Sequence, residues 1–195
     1  MSLRTHIRIV GDERTAGDER ARTPTPARPA GVPADELRAA MGRFATGVTV
    51  ITTRDRAGRA FGTTANAVSS VSLRPPLVLA CLRRESETLA ALLERRRFAI
   101  NVLHSTQAQH AQRFARRAAA DTWEAVAHRS LDGIPVLDGA IAILECELHD
   151  IADGGDHVVV VGHVIGLDHA SPDGDPLVFY GGAYRRLDVP DDTLL

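Results

Sequence analysis

Residues 62–82, GTTANAVSSVSLRPPLVLACL, set small hydroxyl and amide side chains directly ahead of an apolar run. Hydroxyls, amides and the backbone groups between them both donate and accept hydrogen bonds, so such a string can wrap the edge of a planar polar ring. A second candidate follows at once. In SETLAALLERRR, starting at Ser86, the spacing of Leu89, Leu92 and Leu93 predicts one apolar helical face, with Ser86 as N-cap and Thr88 in the first turn. A helix start carries unsatisfied N–H groups and a partial positive charge, and Arg83 and Arg84 stand just before it. An anion such as a phosphate fits there, although an ordinary cap with solvated arginines accounts for the same residues. A third candidate is the Gly155-Asp156-His157 triplet ahead of a valine run. His157, His163 and His169 recur every six residues, yet the nearby carboxylates are ordinary loop residues, and no metal site is assigned.

The elements that must position these residues are mostly strands. Residues 1–33 mix Arg, Asp, Glu, Thr, Pro and Gly, hold four of the ten prolines between Pro24 and Pro33, and show no apolar period. They read as a disordered tail ahead of one domain over 34–188, with 189–195 as a short C-terminal tail. Asp35 can cap a helix in which Leu37, Met41 and Phe44 make one apolar stripe. Residues 48–53 are β-branched and predict a strand, and the turn chemistry of 55–58 predicts a hairpin. Residues 77–82 and 98–103 predict further strands, and QAQHAQRFARRAAA after Ser105 predicts a helix anchored by Phe114. After a turn at 133–135, strands follow. Residues 140–149 alternate, with Leu144, Cys146 and Leu148 on one face and Glu145 and Glu147 on the other, and DGG at 153–155 turns the chain into 158–164. Residues 177–180 form the last strand. Many short antiparallel strands with two or three inserted helices argue for a mainly β, α+β barrel or sandwich, not a doubly wound sheet.

Composition narrows the partners. A chain of 195 residues, 44% hydrophobic, suffices for one well-packed domain. Its 23 basic and 25 acidic residues give a formal charge of -2, so no strong field draws it to nucleic acid or to a membrane surface. Every basic residue is Arg. Cys81 and Cys146 stand alone in apolar segments without CxxC spacing, which reads as buried free thiols in a reducing compartment. No apolar run is long enough to span a bilayer, and acids near the start argue against a targeting peptide, so a cytoplasmic location is expected. GxGxxG after a strand, GxxxxGK[ST], GxSxG and HExxH are all missing, so a nicotinamide would have to bind without a Rossmann domain.

Three segments carry a family resemblance. RAAMGRFATGVTVITT at 38–53, GTTANAVSSVSLRPPL at 62–77 and GDHVVVVGHV at 155–164 resemble the flavin reductase family, the short reductase components of two-component flavin-dependent monooxygenases. The resemblance implies an antiparallel, Greek-key-like, FMN-binding split β-barrel that forms a homodimer. It implies that Thr64, Ala65 and Asn66 hold the flavin ring edge and ribityl chain, with Ser69 and Ser70 as further donors; the family's serine after Asn is Ala67 here. Ser86 and Thr88 match its S-x-T, where the flavin phosphate is expected with Arg84 beside it. Asp156 and His157 match its G-D-H, whose histidine is placed by the nicotinamide and is the catalytic candidate. Tyr184, in YGGAYRRL, would help to close the site. The implied cofactors are FMN or FAD, with NADH or NADPH as hydride donor, and the implied partner is a transient oxygenase component. The implied activity is hydride transfer to flavin, for which the protein need supply only alignment and donors. A non-catalytic flavin carrier of the same fold is the alternative; a pyridoxamine-phosphate-oxidase-like enzyme lacks its basic constellation here.

Overall fold

The computed structural model describes residues 31–116, 122–168 and 174–187, and the architecture is that of the unit Ala34–Leu195. Its elements, in chain order, begin with α1 (Ala34–Met41), β1 (Thr46–Gly47), β2 (Thr49–Arg54), β3 (Ala60–Ala65), β4 (Val68–Leu73) and β5 (Pro76–Arg83). They continue with α2 (Glu87–Arg95), β6 (Arg97–Val102), α3 (Ala108–Ala115), β7 (His128–Leu131) and β8 (Ile134–Leu137). The last are β9 (Ala142–Gly154), β10 (His157–Asp168), β11 (Val178–Tyr180) and β12 (Ala183–Arg185). No helix among the described residues is long and apolar enough to cross a membrane.

Seven strands form one antiparallel sheet in the order β3-β2-β6-β9-β10-β5-β4, beside a three-stranded sheet β1-β11-β12 and the β7-β8 hairpin. The two outermost strands of the large sheet, β3 and β4, are consecutive in sequence and separated only by Asn66 and Ala67. The three Cα steps from Ala65 to Val68 span at most about 11 Å, so the sheet must curl until its edges approach one another. The Cys81 N–H donates to the Ala67 carbonyl at 2.9 Å and ties the link to β5. No ladder joins β3 to β4, so the described sheet does not close. A mainly β antiparallel domain with inserted helices is therefore present, without a closed barrel.

Both faces of β2 are covered, which explains its unbroken β-branched run. Ile51 enters a core with Leu82, Leu92, Phe98, Ile100 and Val160, while Val50 enters another with Leu103, Phe114, Leu137 and Leu177. A third core, of Ala99, Ile134, Val136, Ala140 and Ile143, lies under the β7-β8 hairpin. Buried Asn101 holds that region together: its Nδ2 donates to the Val50 carbonyl at 2.9 Å and to Thr52 Oγ1 at 3.0 Å, and its Oδ1 accepts from the Leu137 N–H at 2.8 Å. Thr52 in turn donates to the Pro135 carbonyl at 2.5 Å. A buried amide satisfied on both sides stabilises the hairpin's docking, whereas a broken one would cost the full desolvation of its partners.

Several expectations change. Pro135 lies inside β8, the turn being Asp132 and Gly133. Glu145 does not face water: the β7-β8 hairpin covers the sheet face it shares with Ile143, and Glu145 is buried in an ion pair with Arg97. Leu93 is exposed while Leu89 and Leu92 are buried, so the inward stripe of α2 is narrower than its leucines suggest. In α1 no residue is buried; the helix ends at Met41, so Phe44 falls in the turn beyond it, and Leu37, Met41 and Phe44 are all exposed. Cys146 is buried, with its thiol pushed up to about 12 by burial and by Glu145, but Cys81 is only half-buried. Residues 1–30, 169–173 and 188–195, which include His169 and nearly all of both expected tails, lie outside the described residues.

Candidate functional site

A cavity of about 750 Å³ opens where the curled sheet, α2 and the three-stranded sheet meet. One wall is the string 61–67 from β3 and its link to β4; α2 contributes Ser86, Glu87 and Thr88; β5 contributes Cys81, Leu82 and Arg83. Glu85 just ahead of α2, His157 from the start of β10, Ala115 and Arg116 at the end of α3, and Val48, Phe179 and Tyr184 complete the lining.

Each wall has a local cause. The β3 wall can sit close to α3 because residue 62 is glycine: a Cβ there would stand 2.7 Å from Phe114 Cε1 and 3.3 Å from Trp123 Cζ2. Phe114 and Trp123 stack edge to face behind it, their centroids 5.1 Å apart. Thr64 Oγ1 donates to the Ala111 carbonyl at 2.7 Å, so its hydroxyl proton serves the β3-α3 contact. Asn66 Nδ2 donates to Thr46 Oγ1 at 3.3 Å, linking the cavity wall to β1.

The N-terminal turn of α2 forms as its sequence predicts. Ser86 is the N-cap, its Oγ accepting from the Leu89 N–H at 3.4 Å, and Thr88 is 4% exposed on the cavity lining. First-turn N–H groups have no intrahelical acceptors and carry the positive end of the helix dipole, so this part of the lining attracts an anion. The aromatic wall is Phe179 against Tyr184, cross-strand partners on β11 and β12 with centroids 5.6 Å apart. Burial raises the Tyr184 hydroxyl above its ordinary value, so it stays protonated and can donate.

His157 follows the two-residue turn of Gly155 and Asp156, with Gly155 at φ +78°. Its Nδ1 lies 2.7 Å from Asp156 Oδ1. The Asp156 carboxyl is held below its ordinary value, first by the hydrogen bond from His157 and then by the imidazole's charge. An ionised carboxylate can only accept, so Nδ1 carries the shared proton and Nε2 is the ring's other polar atom.

The cavity thus gathers Thr64, Ala65, Asn66, Ser86, Thr88, His157 and Tyr184. Four other candidates are not on it. Ser69 and Ser70 lie on the exposed edge strand β4, where Ser69 Oγ donates to the Ser70 carbonyl. Asp156 reaches the site only through His157. Arg84 turns away to the β9-β10 turn, bonding the Gly155 carbonyl and the Asp153 carboxylate, and of this adjacent pair it is Arg83 that lies on the cavity. Arg83 pairs with His157 across the ladder, a register no local signal encodes. Phe61, Arg116 and Phe179 are not site candidates from the sequence, and Cys81 reads there only as a buried thiol; of these, Phe179 has a signal, as an aromatic close to Tyr184 in the chain.

Comparison with known proteins agrees with this geometry. Residues 41–188 match the family model described as flavin reductase like domain. The chain is 42% identical over 162 residues to the FMN reductase (NADH) SmoA of Agrobacterium fabrum, covering 82% of this chain and 89% of that one. It is 37% identical over 163 residues to HsaB of Rhodococcus jostii, the reductase subunit of a flavin-dependent monooxygenase, covering 81% of this chain and 80% of HsaB. Among solved structures it is similar to the NADH:FAD oxidoreductase SgcE6 of Streptomyces globisporus in complex with NAD and FAD fragments. That match has a TM-score of 0.76 and 36% identity over 81% of this chain and 94% of the other. The chain spans about half the length, 44% and 56%, of two Rhizobium meliloti relatives that it matches at 44% and 42% identity. By its sequence and by the fold that carries the cavity, the chain belongs to the flavin reductase family.

Proposed function

We propose that this chain is an NAD(P)H-dependent flavin reductase that binds FMN or FAD and a nicotinamide in the cavity and supplies reduced flavin to a separate oxygenase. The observation that carries the reading is the convergence of the 62–67 wall, the N-terminal turn of α2 and His157 on one cavity. The donor set fits a flavin: neutral hydroxyl, amide and backbone groups for a planar polar ring, an anion-attracting helix start for a phosphate, and an aromatic wall for the apolar face. Ser86 and Thr88 would hold the phosphate, with Arg83 rather than Arg84 beside it. Thr63, Ala65 and Asn66 would meet the ring edge, while Thr64, its hydroxyl committed to Ala111, would contribute its backbone groups. Bound flavin supplies the redox chemistry, a ring that accepts hydride. His157, its Nδ1 proton held by Asp156, would orient the nicotinamide through Nε2, and no residue need move a proton in that role. SmoA and SgcE6, named for NADH with FMN and with FAD, and HsaB, named as a reductase subunit, support this assignment.

The curled sheet, with its edge strands linked by two residues, supports a split-barrel description. The exposed Leu37 and Met41 of α1, Phe44 just after it and the exposed Val71 and Leu73 of β4 support burial in a homodimer. The deciding experiment is oxidation of NADH and of NADPH by purified protein with and without added FMN or FAD. Turnover that rises with free flavin is expected; flavin binding without nicotinamide oxidation would place the chain among flavin carriers instead.

A further inference from the structure

The β9-β10 turn delivers His157 to the cavity, yet nothing apolar holds that turn in place: residues 151–156 are all exposed. A single arginine grips it. The Arg84 backbone N–H donates to the Asp156 carbonyl at 3.1 Å, and its Nε–H donates to the Gly155 carbonyl at 2.5 Å. A terminal guanidinium nitrogen pairs with the Asp153 carboxylate, whose Oδ1 also accepts from the Gly155 N–H at 3.3 Å. Both turn residues and the acid two positions ahead of them are therefore tied to one residue, Asp156 by the backbone N–H and Gly155 and Asp153 by the side chain, and that side chain is not on the cavity lining. The planar fork of arginine suits this task, since it meets a carbonyl and a carboxylate together, which a lysine ammonium does less well.

We propose that Arg84 is a positioning residue, which with Asp153 clamps the β9-β10 turn and so fixes His157 at the cavity for the nicotinamide. The proposal rests on the reading of His157 given above. It separates two neighbours in sequence: Arg83 serves the anion side of the cavity, and Arg84 serves the turn. An exposed ion pair adds little to global stability, so the clamp acts locally, on the freedom of a two-residue turn.

The test compares wild-type protein with Arg84→Ala, Arg84→Lys, Asp153→Ala, the Arg84→Ala/Asp153→Ala double variant and His157→Ala, by steady-state kinetics, flavin titration and NMR of the His157 imidazole without nicotinamide. Arg84→Ala is expected to raise the nicotinamide KM about fivefold, with kcat and flavin Kd changed less than about twofold. The double variant should be no worse than Arg84→Ala alone, Arg84→Lys should recover only part of the loss, and the His157 resonances should shift in Arg84→Ala. Unmoved His157 resonances, or weaker flavin binding with an unchanged nicotinamide KM, would overturn the clamp and return Arg84 to the phosphate. Shifted resonances together with a wild-type nicotinamide KM in His157→Ala would instead overturn the reading of His157, and with it the clamp's part in catalysis.

Discussion

Residues 62–67 and 68–73 read as one continuous polar string, yet they end in different surroundings. The first six line the cavity and press against α3; the next six form β4, which pairs only with β5 and leaves Ser69, Ser70 and Val71 exposed. Between them, Asn66 and Ala67 carry the chain from one edge of the seven-stranded sheet to the other. Residue type alone therefore does not make a ligand contact. Both strands are edges of the sheet; what separates them is what covers each, β3 lying against α3 and the buried Phe114 while β4 is left largely exposed.

The largest effect that would sharpen this contrast is on stability. Gly62→Val forces a branched side chain into the space held by Phe114, and overpacking should cost about 1–3 kcal/mol in denaturant unfolding, whereas Ser70→Val on the edge strand should stay within about 0.5 kcal/mol. Equal losses at the two positions would erase the distinction. Next comes His157→Ala, for which kinetics should show a nicotinamide KM raised about tenfold with flavin affinity changed less than twofold. Thr64→Val is smaller still. It removes the bond to Ala111 and should cost about 1 kcal/mol of stability while leaving flavin affinity nearly intact, because that hydroxyl proton already has its acceptor.

The smallest effect concerns pH. Asp156 has its folded-state value depressed below the ordinary 3.8. An acid depressed on folding contributes stability that is present above its unfolded value and is lost as pH falls through the folded one. The difference in melting temperature between wild type and Asp156→Asn should therefore shrink as the pH falls into the acid range where the carboxyl is protonated. A difference that stays constant as the pH falls through the carboxyl's acid range would detach Asp156 from the pair with His157.

What the sequence revealed was local. Ser86 announces its cap because an N-cap, a first turn and a leucine stripe sit within one short segment, and the β9-β10 hairpin announces itself through its glycines and valines. The failures involve partners far away in the chain. Glu145 alternates like a solvent-facing residue, and only the β7-β8 hairpin, brought over by Asn101 and Thr52, buries it beside Arg97. Arg83 and Arg84 are indistinguishable by type and context. Their roles are set by the register of β5 on β10, which pairs Arg83 with His157 and leaves Arg84 facing the turn. Leu37 and Met41 mark one side of α1 as apolar in the sequence, but amphipathicity does not say whether the same chain covers it.

The most direct test of the central claim, that the cavity and not the edge strand binds flavin, is a flavin fluorescence titration of three proteins side by side: wild type, Ser86→Ala/Thr88→Ala and Ser69→Ala/Ser70→Ala. The account predicts an affinity loss of about tenfold or more for the α2 variant and less than about twofold for the edge variant. The reverse pattern, with the edge serines carrying the loss, would contradict it.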